Sequence, residues 1–230
     1  DLEPIPLKEE TIMHKVLLAQ REKQAQLIIK NLNRRRMAGS FVATADEAAA
    51  EVLALIPSPA KVIRCGSVSC GCVDLWQAIA DKPGVTLLDP YQPGLSKEQA
   101  MDLRRQGLLS DVMVASTNAI TLDGRLVNLD GTGNRVGAMI FGPLKVVLVV
   151  GMNKVAWDLE TAYARVRTVA APANNIRLAE AYGLKNPCVQ DGRCHQCMSE
   201  TKICNIWSVI EGSAVENRIH VVLVGEDLGF

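Results

Sequence analysis

From Lys61 onwards the chain carries a series of short runs that are almost wholly apolar and rich in β-branched residues: KVIR (61–64), VTLL (85–88), DVMVAS (111–116), KVVLVV (145–150), WSVI (207–210) and IHVVLVG (219–225). A strand with one wet face alternates apolar and polar side chains, because successive residues point to opposite faces. These runs are too continuously apolar for that, so they read as strands buried on both faces. Such strands require a parallel or mixed sheet covered by helices. Helical stretches separate them: through Leu75–Ile79, through Glu98–Leu103, over NRVGAMIF, and from about Lys154 to Val169. NAITLDGRLVNLDG reads as a hairpin, with AIT and LVN on either side of a Leu122-Asp123-Gly124 turn. The fold class is α/β.

Before Lys61 the pattern is helical. Glu9 to Leu32 holds no Gly or Pro and mixes apolar residues with charges, and Thr11 or a neighbour could cap its start. Arg34-Arg35-Arg36 then suits a helix C-terminus, where cations offset the dipole, better than an anion site. Thr44 opens a second helix with acids in its first turn, and Pro57 stops it. The organisation expected is an N-terminal helical arm (1–38) and an α/β domain (39–230) that contains a Cys-rich insertion at 186–205.

Charge narrows the function. Lys+Arg and Asp+Glu are both 25 and aromatics are 4%, which argues against a nucleic-acid or anionic-membrane binder. The longest apolar stretch, VGAMIFGPLKVVLVVGM, is broken by Pro143 and Lys145, so no membrane span is expected. DLEPIPLKEE lacks the plan of a signal peptide, and the cysteine count is odd, at 7. The expected location is the cytoplasm.

In an open α/β sheet, ligands sit beyond the C-terminal ends of the strands. Two loops there have the composition of a site. In the first, Gly66, Ser67 and Ser69 follow a strand and precede a helix; bare backbone and hydroxyls suit an anion, although a tight turn explains them equally. In the second, LDGTGNR, the polar residues Asp130, Thr132, Asn134 and Arg135 alternate with Gly131 and Gly133. Thr132 or Asn134 could cap the next helix, and Arg135 could clamp a carboxylate or phosphate. The competing reading is a helix cap with a structural Arg–Asp pair. Asn118 and Asn128 flank the same hairpin. The two loops are expected to face one cleft that takes a small anionic metabolite. At the C-terminus, Glu226 and Asp227 read as an acid/base pair or a solvated tail, and His220 as a core or face histidine. Neither His14 nor His220 has a sequence neighbour that suggests a Cys–His or Ser–His dyad, which disfavours a nucleophilic hydrolase.

Cys188, Cys194, Cys197 and Cys204 are spaced C-x5-C-x2-C-x6-C. Four thiolates suit zinc or an iron–sulfur cluster, with His195 as an alternative ligand; the spacing matches neither a zinc ribbon nor a ferredoxin run. Free or redox-active thiols and disulfides are the alternatives. Cys65, Cys70 and Cys72 form a second group that would join the first only if the loops converge.

Taken together, NAITLDGRLVNLDGTGNRVGAMIFGPLKVVLVVGMNK (118–154), PC and GRCHQCMSETKICN within 187–205, and the closing VVLVGEDLGF resemble the LUD domain family, the lactate-utilisation proteins of the LutC/YkgG type. The resemblance runs from about Gly39 to the end. It implies a Rossmann-like, mostly parallel sheet similar to the NagB/RpiA/CoA-transferase group. It also implies a cytoplasmic role in oxidising L-lactate to pyruvate beside iron–sulfur partner proteins. The motif positions it carries over are Asn118, Asp123, Asn128, Asp130, Gly131, Thr132, Gly133, Asn134 and Arg135. Cys65 stands where the family pattern leads one to expect a Gly. No dinucleotide fingerprint or flavin motif is present, so an enzyme of this kind would be a non-autonomous subunit of a lactate-oxidising system. The alternatives are a metabolite-binding or sensor module, and a stand-alone isomerase or transferase suggested by fold analogy alone. A homo-oligomer formed through the N-terminal helix is a further expectation.

Overall fold

The computed structural model describes residues 9–230. Helix α1 (Glu9–Arg34) leads into β1 (Ala38–Val42), α2 (Ala45–Leu55) and β2 (Ala60–Arg64). Two short helices, α3 (Val68–Gly71) and α4 (Leu75–Ala80), precede β3 (Val85–Leu88), α5 (Lys97–Gln106) and β4 (Val112–Ala115). The hairpin is β5 (Ala119–Thr121) and β6 (Leu126–Asp130), followed by α6 (Asn134–Ile140), β7 (Lys145–Gly151) and β8 (Val155–Ala156). Helices α7 (Leu159–Arg165), α8 (Ala171–Tyr182) and α9 (Cys188–Asp191) and strands β9 (Ile206–Ile210) and β10 (Ile219–Val224) complete the chain.

Six strands form one sheet in the order β1-β10-β7-β4-β2-β3, and every pair in it is parallel. The burial explains the sequence. On β4, Val112 and Val114 enter the cluster that holds Val52 of α2 and Ile79 of α4, while Met113 and Ala115 enter the cluster that holds Ile28 and Leu32 of α1. Both faces are dry, so both sets of alternating side chains are apolar. Ala25, Ile28 and Leu32 are fully buried, so the later turns of α1 share a core with the sheet. The expected cap at Thr11 lies outside the described side chains.

Local chemistry sets the helix ends. Thr44 caps α2, accepting from the Glu47 N–H. Ser96 and Gln99 close a reciprocal capping box on α5, and Asp158 and Thr161 close one on α7. The last box corrects the helix expected from Lys154 to Val169. The chain first makes a 3₁₀ turn (Met152–Lys154) and the short strand β8, and the helix begins only at Leu159. It then passes through a π-helical turn at Val166–Ala170 into α8, well beyond Val169.

Two further features differ from the sequence reading. AGSFV lies between the two N-terminal helices, where the sequence reading assigns no element; it is the edge strand β1, paired to β10 from Ala38↔His220 to Val42↔Val224. The hairpin and β9 do not join the large sheet; with β8 they make a second sheet, β8-β5-β6-β9. Ala119, Val127 and Leu129 pack there against Ala162 and Val166. Nothing in a local apolar pattern specifies which of two sheets a strand will enter. Among the described residues, no helix is long and apolar enough to cross a membrane.

Candidate functional site

Strands β2, β4 and β7 are neighbours, and their C-terminal ends open into a cleft of about 600 Å³ between the two sheets and α8. Gly66 and Ser67 line one side; Asn118, Asp130, Gly131, Thr132, Asn134 and Arg135 line another. The first and second loops therefore share one cavity. Ser69, Asn128 and Gly133 are not on its wall. Ser69 and Asn128 lie beneath it, both buried, and Gly133 starts α6 with a φ of +91° that a side chain would strain.

Each residue of the first loop has a structural partner. The Ser67 hydroxyl caps α3 by accepting from the Cys70 N–H. A Cβ on Gly66 would stand 2.7 Å from the Tyr91 hydroxyl, so the bare backbone makes room for that ring. Tyr91 in turn lies under Arg64 and Arg104, whose guanidiniums stand 5.3 and 5.6 Å from its ring centre.

Arg135 does not act as the expected ligand clamp. Nη1 donates to Ser116 O (3.0 Å) and Asn128 Oδ1 (2.8 Å), and Nη2 to Asn118 Oδ1 (2.9 Å) and Leu129 O (3.1 Å). Nε stands 3.3 Å from Asp130 Oδ2. The two terminal nitrogens thereby make four hydrogen bonds within the protein, and Nε faces the Asp130 carboxylate as an ion pair. Neither Thr132 nor Asn134 caps α6. The Asp130 carboxylate does so instead, accepting from the Gly133 N–H (2.9 Å) and the Val136 N–H (3.3 Å). Thr132 and Asn134 line the cleft, and their side chains have no hydrogen-bond partner among the described residues.

Several residues of the cleft wall escaped the sequence reading, Arg64, Arg104, Ser116, Lys154 and Arg177 among them. Lys154 is 3% exposed, and its ammonium reaches Ser69 Oγ (2.6 Å), Ser116 Oγ (3.1 Å) and Thr117 O (3.4 Å). None of these partners is an anion. Burial, then the nearby Arg165, pulls its pKa down to about 7. A lysine between an apolar strand and a helix reads as an exposed helix start, and only the three-dimensional contacts reveal it.

The cysteine segment forms a second, much smaller pocket on the far side of Ile203 and Cys204, two residues that line both cavities. Cys188, Cys194, Cys197 and Cys204 all line it. Burial pushes the Cys188 thiol up, and Cys204 and Cys197 add to this, so these sulfurs lie within electrostatic reach of one another. Arg167 Nη1 stands 3.6 Å from Cys194 Sγ and Asn175 Nδ2 3.6 Å from Cys204 Sγ. His195 Nε2 sits 3.0 Å from Asp191. Among the described residues, no three His, Cys, Asp or Glu side chains stand in a metal-holding arrangement. Cys65, Cys70 and Cys72 are not part of this pocket. Burial lifts Cys65 and Cys70 to about 12, as inert core thiols.

With this geometry in view, comparison with known proteins is informative. The family model described as the LUD domain matches residues 25–224. The chain belongs to the LUD domain family. A solved structure of a DUF162 family protein from Deinococcus radiodurans is similar to this LUD domain at 17% identity and a TM-score of 0.45, over 90% of this chain and 98% of that one. No curated protein matches the chain.

The remaining candidates of the LUD domain are structural. Glu226 accepts from the Ala45 N–H at the start of α2, and Asp227 pairs with Arg21 at 2.6 Å. His220 is half-buried on β10 beside the Ser40 hydroxyl (3.0 Å). Arg35 ties the end of α1 to Asp123 and Glu211, as a helix C-terminal cation with no role in the cleft.

Proposed function

We propose that this LUD domain takes a small organic anion in its strand-end cleft, as a cytoplasmic component of L-lactate or related organic-acid utilisation. The observation that carries this reading is the charge of the wall. Arg64, Arg104, Arg135, Lys154 and Arg177 line it, against the single acidic side chain Asp130. A concave surface with that excess raises the local concentration of anions. Asp130 and Arg135 cancel each other and Asp89 pairs with Arg64 at 2.8 Å, so anion attraction falls to Arg104 and Arg177, with Lys154 adding to it when protonated. Arg104 keeps a buried Nε with no acceptor among the described residues, and Asn134 and Thr132 supply neutral donors. The family supports the lactate assignment, and iron–sulfur partner proteins would take the electrons.

The four cysteines line one pocket and have the donor chemistry of a thiolate-held centre, but among the described residues no three stand in a metal-holding arrangement, so the loop would have to close around a metal to hold it. Cys188, Cys194, Cys197 and Cys204 would hold it, with the Arg167 guanidinium offsetting the charge of deprotonated sulfur. Zinc there would brace the segment, and an iron–sulfur cluster would carry an electron. Anaerobic purification followed by metal and sulfide analysis and a visible spectrum decides this. A colourless, metal-free protein with four titratable thiols overturns it.

For the substrate, the test is deletion of the gene followed by growth on L-lactate and a metabolite profile, with calorimetric titration of the protein by L-lactate and pyruvate. Loss of lactate growth and saturable binding of either acid are expected. Normal growth with another acid accumulating rejects the lactate role.

A further inference from the structure

We propose that Ser116 and Lys154 form a nucleophile–base pair, and that the cleft catalyses acyl transfer from a small ester, thioester or amide. This goes beyond organic-acid binding and rests on that reading only in taking the cleft as the ligand site.

The geometry carries the proposal. Ser116 directly follows β4, Ser69 lies beyond β2 and Lys154 beyond β7. These three strands are adjacent, so their ends converge where α/β proteins place chemistry. Lys154 Nζ lies 3.1 Å from Ser116 Oγ, within reach for proton transfer, and both residues line the cleft. The Ser69 hydroxyl donates to Leu228 O (3.0 Å), so its lone pairs face Nζ at 2.6 Å and position the amine. A lysine buried among neutral acceptors has no anion to hold it charged. The charged and titratable groups that act on it are Arg165, Arg135, Cys70 and Cys72. The two arginines disfavour the ammonium, and Cys70 is itself held protonated by burial. A neutral Nζ has a lone pair for the Ser116 proton.

Asn118 completes the set. Its Oδ1 is fixed by the Leu129 N–H (2.9 Å) and by Arg135 Nη2 (2.9 Å). Its Nδ2 donates to no acceptor among the described residues, and Asn118 lines the cleft two positions after Ser116. The Arg135 network thus presents an amide donor beside the nucleophile, as an oxyanion site requires.

The chemistry balances without a further reagent. Ser116 Oγ bonds to the acyl carbon while its proton passes to Lys154 Nζ, and Asn118 Nδ2 donates to the carbonyl oxygen. Collapse breaks the bond to the alkoxide, thiolate or amine, which leaves with the proton from Lys154. Water then gives one proton to Lys154 and its hydroxide to the acyl carbon; collapse breaks the Ser116 Oγ–acyl bond, Lys154 returns its proton to Oγ, and the acid leaves as a carboxylate with one proton released to solvent.

The test uses the full chain, an alkyl fluorophosphonate and p-nitrophenyl acetate. Peptide mapping should find the phosphonyl group on Ser116, and both labelling and ester hydrolysis should rise with pH through about 7. Lys154→Met should slow both by about 100-fold or more, the usual worth of a general base. Ser116→Ala should abolish both, and Ser69→Ala should move the pH profile while leaving Ser116 reactive. Circular dichroism checks that each variant is folded; if Lys154→Met unfolds, Lys154→Arg, which keeps the length but holds its proton, gives the same readout. An unlabelled Ser116 in the folded parent overturns the proposal, as does equal labelling in a folded Lys154 variant. Saturable lactate binding by a parent that neither labels nor hydrolyses the ester sinks this inference and leaves the organic-acid reading standing.

Discussion

Beneath the strand ends, Arg135 makes four hydrogen bonds within the protein and an ion pair with Asp130, Asp130 accepts from two backbone amides, and both are largely buried. Across Ile203 and Cys204, the segment 186–205 is mostly without regular structure, and its ion pairs are short-range: Asp191 with Arg193 and with His195. One region is a closed network hung on buried parallel strands. The other is a loop tied down at Asn186 and Asn175, with sulfurs gathered on its inner side. A fully satisfied network fixes geometry before any ligand arrives. A sulfur-lined loop gains most of its order from whatever the sulfurs bind.

The sharpest way to break this comparison is at its centre. Arg135→Ala removes the partner of Asp130 and leaves a carboxylate, 7% exposed, without its cation. The expected loss is about 3–5 kcal/mol of global stability, measured by urea unfolding. A change well below 1 kcal/mol would mean that the network does not hold the cleft together.

Lys154→Met probes a buried cleft lysine that has no anion beside it among the described residues. In the fold its pKa is about 7; unfolded it returns to about 10.4. Between these values the unfolded chain binds a proton that the folded chain has released, so stability rises with pH across that window. Below about pH 7 both states are protonated and the penalty is fully present. The parent should therefore gain on Lys154→Met by at most about 1.4 kcal/mol per pH unit from pH 7 upwards. Comparing parent with variant removes the opposite slope that Cys65 and Cys70 bring at high pH. A flat difference means the amine is charged throughout and paired in some other way.

These two residues also mark what sequence can and cannot tell. The strands β2, β3, β4, β7 and β10 were legible because burial on both faces writes a continuous apolar run. β1 was not, because AGSFV is short, contains Gly and Ser, and needs β10, some 180 residues away, to be a strand. The clustering of four cysteines is a local fact and visible at once. Arg135 was visible as a functional candidate, but a clamp and a network hub have the same sequence; only counting its acceptors separates them. Lys154 left no trace, since burial of a lysine depends on Ser69 and Ser116 arriving from two other strands.

A smaller effect sharpens the other side. Asn186 donates to Asn175 Oδ1 (2.6 Å) and Thr201 O (2.9 Å) and accepts from Thr201 Oγ1 (2.8 Å). Asn186→Ala strands these buried groups, at about 1–2 kcal/mol. Because the tether serves the loop, hydrogen exchange of residues 188–204 should quicken while the amides of β4, β7 and β10 stay as protected as in the parent. Equal quickening in the strands would show that the two regions unfold as one unit.

The smallest effect is expected at Arg193, which is 80% exposed and meets Asp191 only two residues away. Arg193→Ala should leave the melting midpoint unchanged, as solvent screens such a pair and the side chain loses freedom to make it. The Asp191 carboxylate is the more revealing readout. Its pKa is held at about 2, first by the backbone N–H of Arg193 and then by the hydrogen bond from His195, with the Arg193 side chain a lesser contributor. Alanine keeps that backbone N–H, so an NMR titration of Asp191 should still find it well below the ordinary carboxylate range. The same titration in His195→Ala should move it further than Arg193→Ala does, since that change removes a larger contribution. If Arg193→Ala instead returns Asp191 to the ordinary range, the loop is held by side-chain charge rather than by its own backbone, and the contrast with the strand-end network narrows.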